Sequence, residues 1–465
     1  MSRDRSHTPR SLRVAFFGLL ALLALAPLPF GSNRLWSWSL LSMTVGFLAL
    51  LWAYGVLRTP GSIRIRTRHH LPATVMFGLA IVWFLVQASG LTPAAWDHPI
   101  WAEAAAALGR EKTFGAISLN PNASFDGAMR LLAYGGVFWL AVHFGRSRKL
   151  ARRMLWAIVI SGSAYAAYGL AVQFSGTNTI LWFQKWAYDD VVTATFVNRN
   201  NFATYAGLVI IAAFGLLTWE ADEAASLGIA NRVGFVHMID SLGPRVFGLL
   251  VALFVTGTAL LLSASRGGTI ATVMGVLVFL AGLVLCKRER IRRTVVFAGI
   301  IMLSGVVLLS FSGRELANRL SQTESAVSGR SEIRDFTREA ISERPWLGTG
   351  LGTFADVAVR SRGDKLSPRT APFHRAHNGY LEMILEGGYA GFGLVLGAIG
   401  WLAFWTFSGI IPRHQEGIYC CIGLGAIGVV ATHATVDFSL QIPAVAVTFV
   451  TLLAIGCAQA VPHRS

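Results

Sequence analysis

Residues 246–286 read VFGLLVALFVTGTALLLSASRGGTIATVMGVLVFLAGLVLC, which is two apolar runs on either side of one short polar turn. The runs 246–265 and 269–286 hold 20 and 18 residues, enough for helices that cross a hydrocarbon core of about 30 Å. The whole chain of 465 residues is 54% hydrophobic and 14% charged, whereas soluble domains carry roughly 25% charged residues. Because backbone groups in lipid must bond within their own segment, the sequence predicts an all-α polytopic membrane protein.

Working outward from this stretch, the hydropathy pattern predicts about 12 transmembrane helices, nine before residue 313 and three after residue 379. This divides the chain into 1–312 with spans 1 to 9, a loop domain at 313–379, and 380–465 with spans 10 to 12. The predicted spans are 12–30, 35–57, 71–90, 127–145, 153–174, 202–219, 246–265, 269–286, 294–312, 380–411, 417–436 and 440–461.

Much of the net charge of +16 lies in short loops, as membrane topology requires, and it does not predict a nucleic-acid partner. Basic residues concentrate in the short loops after spans 2, 4 and 8, and such loops face the cytoplasm in membrane proteins. The loop 313–379 then lies on the opposite, periplasmic side, and it still carries eleven Lys and Arg residues between 313 and 377. Topology does not account for that charge, so the loop is a candidate site for an anionic substrate.

Part of this loop has the pattern of an amphipathic helix. Apolar residues recur at helical spacing between Glu332 and Glu343, Ser331 is placed to cap the helix, and Pro345 to end it. The glycines of the following stretch, Gly348–Phe354, predict a flexible turn. The turn resembles a nucleotide-binding loop, but it has no preceding strand and lies on the wrong side of the membrane for ATP.

His377 stands where the polar loop becomes a membrane helix, beside Asn378 and ahead of Glu382 and Glu386, which share a helical face. An imidazole there can take a proton from a hydroxyl group. The alternative is an interfacial histidine that caps the helix or reaches for lipid headgroups. His374 and His377 have the spacing of a metal pair, but a third ligand is missing, so the sequence predicts no metal site.

Three arginine motifs accompany the histidine at the predicted periplasmic face. Arg266 occupies the tight SRGG turn, Arg199 lies in the sequence FVNRNNF, and Arg330 begins the loop helix. Fixed guanidinium groups bind phosphate through two parallel hydrogen bonds. Each has an ordinary reading as well: a snorkelling arginine, a helix-capping cluster and a solvated charged face, respectively. His433 and Asp437, one helical turn apart, are either a proton relay or a structural hydrogen bond.

These motifs together resemble the O-antigen ligase and polymerase family of bacterial inner-membrane glycosyltransferases. The matching pieces are FVNRNNFATY at 196–205, SRGG at 265–268, Gly329–Phe354, His377–Gly391 and HATVDFSL at 433–440. The resemblance implies that an undecaprenyl-diphosphate-linked glycan is moved to a hydroxyl acceptor at the periplasmic face, without metal, nucleotide or other cofactor. It implies that His377 is the base or orients the acceptor, and that Arg266 and Arg330 hold the diphosphate. The polar residues predicted to bind substrate are Arg199, Asn198, Asn200, Arg334, Asn378 and His374.

The spacing from His377 to Gly391 favours ligase-type transfer to the lipid A core. A polymerase that extends lipid-linked repeats shares the same motifs and stays open. Two hypotheses from other classes also stand beside the enzyme. One is a secondary transporter, although its usual midplane charges and matched repeats are not evident in the sequence. The other is a glycan-binding assembly subunit that uses the same arginines.

Overall fold

A computed structural model describes residues 9–59, 69–111, 114–226, 243–286, 323–361, 374–410 and 417–460. Within these ranges nearly all of the regular secondary structure is helical, as the hydropathy pattern predicts. The first seven helices are α1 (Arg10–Leu25), α2 (Leu35–Arg58), α3 (Leu71–Ala88), α4 (Ile100–Ala107), α5 (Pro121–Gly145), α6 (Arg148–Ser175) and α7 (Arg199–Ser226). The remaining seven are α8 (Pro244–Leu262), α9 (Arg266–Leu285), α10 (Thr323–Glu343), α11 (Phe354–Arg360), α12 (Gly379–Ser408), α13 (Gly417–Ala434) and α14 (Pro443–Gln459).

Nine of the helices in the described ranges are long and apolar enough to cross a membrane, so this is a multi-pass membrane protein. They are α2, α3, α5, α6, α7, α8, α9, α12 and α13. The predicted first and last spans correspond to α1 and α14, which are shorter, with 16 and 17 residues. The predicted span 294–312 lies outside the described residues. Between α6 and α7 a two-residue hairpin pairs β1 (Thr179–Ile180) with β2 (Phe183–Gln184).

Helix α7 is the centre of the bundle, and its apolar window is almost completely buried. It packs against α6, α8, α9 and α13. Small residues bring α9 and α13 close: a Cβ added at Gly275 would lie 2.8 Å from the carbonyl oxygen of Gly425. Such close backbone approach is how helices associate in a membrane. This packing fixes the positions of α7 and α9, whose first residues belong to the predicted site, relative to each other.

The loop helix α10 confirms the predicted amphipathic pattern. Ile333, Phe336 and Ile341 are buried in a cluster with Leu385 of α12. The predicted start is wrong, because α10 begins at Thr323 and Ser331 lies inside the helix rather than capping it. The single break-prone residue between them is Gly329, and one glycine costs a helix only about 1 kcal/mol.

The glycine turn before α11 is firmly held, contrary to the expectation of a flexible segment. Thr349 donates its backbone N–H to the carbonyl of Leu385 at 3.0 Å, and Gly350 donates to Glu386 at 2.9 Å. At this contact α12 is itself interrupted, since Gly388 has φ 64° and ψ 176°. The turn therefore packs into the break of α12 at Gly388. This break lies farther along the helix than the residues that directly follow His377.

Candidate functional site

The first turns of α7, α9 and α12 meet at the loop that joins α13 to α14. Ser265, the N-cap of α9, donates its hydroxyl hydrogen to Oδ1 of Asn200 at 2.8 Å. Asn200, in the first turn of α7, donates from Nδ2 to Oδ2 of Asp437. The backbone N–H of Gly379, which opens α12, donates to the carbonyl of Asp437 at 3.1 Å. One buried carboxylate residue therefore connects three helix N-termini, which carry partial positive charge.

His377 is the residue that faces this carboxylate. Its Nδ1 lies 3.7 Å from Oδ1 of Asp437, and its ring lies edge-on to Phe438 with centroids 5.4 Å apart. The backbone of His377 is left-handed, with φ 49°, a conformation that costs a residue with a side chain about 1–3 kcal/mol. The surrounding contacts keep this unusual geometry, so the imidazole is placed by the fold rather than by local preference.

Asp437 is buried, yet its surroundings favour the charged form of its carboxyl group. Burial by itself would raise the pKa of its carboxyl group. The contact with His377, the positive potential of His433 and His377, and the backbone N–H of Phe438 at 2.8 Å oppose that effect and hold the pKa below its ordinary value. A carboxylate fixed in this way can orient an imidazole and stabilise its protonated form.

Next to this carboxylate lies a second buried network, built from hydroxyl groups around His433. Its Nδ1 lies 3.0 Å from Oγ1 of Thr204 and 3.1 Å from Oγ of Ser439. Ser439 also contacts Oδ1 of Asn201 at 3.0 Å. His433 thus contacts the first turns of α7, directly through Thr204 and indirectly through Ser439 and Asn201. Its side chain faces these hydroxyl groups, which favours the structural reading of the His433–Asp437 pair over a proton relay.

The predicted arginines fall into two groups. Arg199 and Arg266 open α7 and α9, directly beside the bonded residues Asn200 and Ser265. Arg199 is half-buried with its guanidinium 5.5 Å from the ring of Tyr188, whereas Arg266 is exposed. Arg330 lies on α10, and its side chain is outside the described residues. Two arginines therefore belong to the meeting point of the helices by their position in the chain.

The other predicted binding residues have mixed surroundings. Asn198 is half-buried, and its Oδ1 accepts from the backbone N–H of Asn200 at 2.8 Å. Asn378 caps α12: its Oδ1 accepts from the N–H groups of Tyr380 and Leu381 at 3.1 and 3.0 Å. Arg334 is half-buried on α10 and His374 is exposed. Within the described ranges no group of three or more His, Cys, Asp or Glu residues has the arrangement of a metal site.

Glu382 and Glu386 hold the histidine segment and the glycine turn against α12. Glu382, fully buried, accepts from Nη1 of Arg375 and from the backbone N–H of Ala376, both at 3.0 Å. Glu386 accepts from the backbone N–H of Phe354 at 3.2 Å. Carboxylates bonded in this way fix the backbone on either side of them. The shared face expected for these two residues therefore anchors the loop domain.

Sequence reasoning gave no site role to Ser265 or Arg375, and it left the role of Asp437 open. Asp437 appears in the motif HATVDFSL, but its partner His377 lies in a distant segment. Ser265 precedes Arg266. Serine is a residue type that often caps helices, and this was the available signal for its role. Arg375 is one of many basic loop residues, and only its contact with buried Glu382 distinguishes it.

Comparison with known proteins bears on the same part of the chain. The family model described as O-antigen ligase matches residues 251–396. This range holds Arg266, Arg330 and His377, and it ends before Asp437. A search of curated proteins finds no match to the chain. The family implies an enzyme of the glycosyltransferase type that acts on a lipid-linked glycan and an acceptor. The similarity of the chain to the O-antigen ligase family therefore covers residues 251–396.

Proposed function

We propose that this protein transfers a glycan from an undecaprenyl-diphosphate carrier to a hydroxyl group of the lipid A core, at the periplasmic face of the bacterial inner membrane. The observation that carries the proposal is the contact of His377 with Asp437, whose carboxylate is bonded to the start of α7. It joins a proton-accepting side chain to the helix ends that bear Arg199 and Arg266. The proposal takes His377 as the base and these two arginines as the anion-binding groups.

In the proposed reaction, His377 takes the proton of the acceptor hydroxyl group. Its Nδ1 faces Asp437, so we assign Nε2 to the acceptor. The acceptor oxygen forms a bond to the anomeric carbon of the glycan, and the bond from that carbon to the lipid diphosphate breaks. The diphosphate leaves with the bonding electron pair. Asp437 stabilises the imidazolium ion that forms, as carboxylates do for histidine bases.

The leaving diphosphate needs charge stabilisation more than it needs a proton. Arg199 and Arg266 supply guanidinium groups, and the N-termini of α7 and α9 add partial positive charge. Donors fixed in advance stabilise developing charge without reorganisation during the reaction. Arg330 and Arg334 on α10 would approach from the loop side, and His374 and Asn198 would contact the glycan or the acceptor.

Two of the predicted binding residues take a different part in this proposal. The amide of Asn200 contacts both Ser265 and Asp437, and the amide of Asn378 caps α12 and donates to the carbonyl of Thr435 at 3.0 Å. Because both side chains already bond to the protein, we assign them to positioning His377 and its carboxylate rather than to holding substrate.

The test is reconstitution of the purified protein with a lipid-linked oligosaccharide and one of two acceptors. Transfer to a lipid A core acceptor supports the proposal, whereas extension of a second lipid-linked oligosaccharide assigns the protein as a polymerase. A protein that binds the donor without turnover with either acceptor contradicts an enzymatic role. His377→Ala is the control for background transfer, and cells that make this variant should lack the corresponding surface glycan.

A further inference from the structure

A cationic cavity of about 720 Å³ opens at the end of the bundle opposite His377. Helix α7 joins the two places: Asn200 contacts the site carboxylate at one end, and Glu220 lies beside the cavity at the other. Twenty residues of helix span about 30 Å. The cavity is therefore separate from the proposed transfer site. It is lined by Arg148, Lys149, Arg152, Arg153, Trp156, Trp219, Arg245 and Tyr419.

Four helices contribute to this cavity, which sets it apart from a basic loop. The starts of α6, α8 and α13 supply the basic residues and Tyr419, and the end of α7 supplies Trp219. Membrane proteins keep an excess of Lys and Arg in their cytoplasmic loops, and this rule explains basic residues in short loops. It does not explain why five of them surround a cavity together with three aromatic side chains.

One of the basic side chains, that of Arg152, is held in place and forms part of the cavity wall. The guanidinium of Arg152 lies 3.5 Å over the ring of Trp219 and pairs with the buried carboxylate of Glu220. Its other nitrogen lies 3.9 Å from Glu223. Stacking and pairing together hold an arginine in a single orientation. The five basic side chains that line the cavity outnumber these two neighbouring carboxylates, so the cavity keeps a positive excess.

We propose that this cavity binds a phosphate-bearing anion, the headgroup of an anionic phospholipid from the adjacent leaflet or a free phosphate compound. Phosphate offers the charge and the acceptor oxygens that several Arg and Lys donors need. The aromatic residues favour the lipid source, because Trp and Tyr belong at the level of the headgroups, with their rings toward the acyl chains. Basic pockets between membrane helices hold lipid headgroups in the same way.

The experiment compares two triple variants of the full-length purified protein. The cavity variant is Arg148→Gln with Lys149→Gln and Arg245→Gln, which leaves the Arg152 wall intact. The control variant is Arg10→Gln with Arg13→Gln and Arg58→Gln. These three are also exposed. Arg10 and Arg13 open α1, whose far end meets Thr195 through the carbonyl of Pro27, so they lie at the cavity end of the bundle.

Binding is measured by native mass spectrometry in detergent with phosphatidylglycerol, phosphatidylcholine and soluble glycerol phosphate. The cavity variant should bind phosphatidylglycerol at least about tenfold more weakly than the control variant, and phosphatidylcholine should bind neither protein tightly. Binding of phosphatidylglycerol alone identifies the lipid source, while equal binding of glycerol phosphate identifies a free phosphate compound. Equal affinity of the two variants for every phosphate probe overturns the proposal, as does a preference for phosphatidylcholine.

Discussion

Nδ1 of His377 and Oδ1 of Asp437 lie 3.7 Å apart, although the two residues are 60 positions apart in the chain. The second carboxylate oxygen of Asp437 accepts from Asn200, so the carboxylate is held from α7 while it faces the histidine. This arrangement separates two tasks. In the proposed reaction, His377 meets the acceptor, and Asp437 fixes the orientation and the charge of His377.

The variant Asp437→Asn tests this division of tasks. The amide keeps the shape of the side chain and an oxygen toward Asn200, but it removes the negative charge that faces His377. Charge-assisted bonds contribute about 1.5–3 kcal/mol, so we expect transfer to fall by roughly 10-fold to 150-fold. Steady-state transfer to the hydroxyl acceptor is the measurement, with thermal unfolding to confirm that the variant folds.

The matched control is Asp356→Asn, which changes another carboxylate that accepts from an asparagine, Asn120, at 3.1 Å. It should leave transfer unchanged. His377→Ala should cost roughly 10²-fold to 10⁴-fold. Because Asp437 acts through His377, the double variant should be little worse than His377→Ala alone. Independent, multiplying losses would contradict the assignment of Asp437.

The arginines at the helix starts should act on the leaving diphosphate. Arg266→Lys keeps the charge but loses the two parallel hydrogen bonds of the guanidinium group. We expect kcat to fall roughly 10-fold or more in Arg266→Ala and by a smaller factor in Arg266→Lys. Kinetics with varied donor concentration separate kcat from KM. Arg338→Ala, at a position 62% exposed on α10, should behave like the unchanged protein; an equal loss there would indicate a general effect of surface charge.

Much of the fold follows directly from the sequence. Long apolar runs predict the membrane helices because no other structure satisfies an isolated segment in lipid. Their ends are harder to predict: α7 begins at Arg199, three residues before the predicted start, because the polar residues there bond to neighbouring segments. The start of α10 was also hard to predict. Ser331 is a residue type that often caps helices, but it lies inside α10, a helix held by the burial of Ile333 and Phe336.

The site divides in a similar way. Arg199, Arg266 and His377 stand out locally, because each is a polar residue at the edge of a long apolar run. The contact of His377 with Asp437 and the bond of Arg375 to Glu382 depend on how distant segments pack. Residue spacing carries no information on that packing. Arg375 therefore became distinguishable from the other basic residues of its loop only when its buried partner was known.

Removal of Arg375 should destabilise the protein strongly. Its partner Glu382 is fully buried, and a buried charge left without its partner costs about 3–5 kcal/mol. The double variant Arg375→Ala with Glu382→Gln should recover most of that loss, because the amide oxygen still accepts from Ala376. Arg360→Ala breaks a more exposed pair with Glu103 and should cost at most about 1 kcal/mol. The measurement is the thermal unfolding of all three variants in detergent solution. Equal losses of stability in the two single variants would refute the argument.

Acid should weaken the contact between the loop after α3 and the segment after α10 through His98. Burial first, and then the charges of Arg344 and Arg360, lower the pKa of His98 from 6.5 to about 4. The unfolded chain therefore binds a proton at this residue below pH 6.5 that the folded protein rejects until about pH 4. Stability from this residue is complete above pH 6.5 and is lost as the pH falls through that window.

His98→Asn removes the titrating group and keeps an oxygen that can accept from the backbone N–H of Ile100, as Nδ1 of His98 does at 3.2 Å. Its unfolding temperature should fall less than that of the unchanged protein between pH 6.5 and 4. His374→Asn, at an exposed histidine, is the control and should follow the unchanged protein. If the three proteins lose stability in parallel, His98 is not the source of the acid sensitivity.

Gly388 and Gly393 of α12 offer a direct test of the break that receives the glycine turn. A Cβ at Gly388 would lie 2.1 Å from the carbonyl oxygen of Trp346, and its φ of 64° disfavours any side chain. Gly388→Ala should therefore destabilise the protein by at least about 1–3 kcal/mol and reduce transfer, because the turn can no longer dock. A Cβ at Gly393 meets nothing within 4 Å, so Gly393→Ala should be neutral or stabilising by up to about 1 kcal/mol. Thermal unfolding of both variants decides the matter: if Gly388→Ala unfolds at the same temperature as Gly393→Ala, the break in α12 does not hold the loop domain.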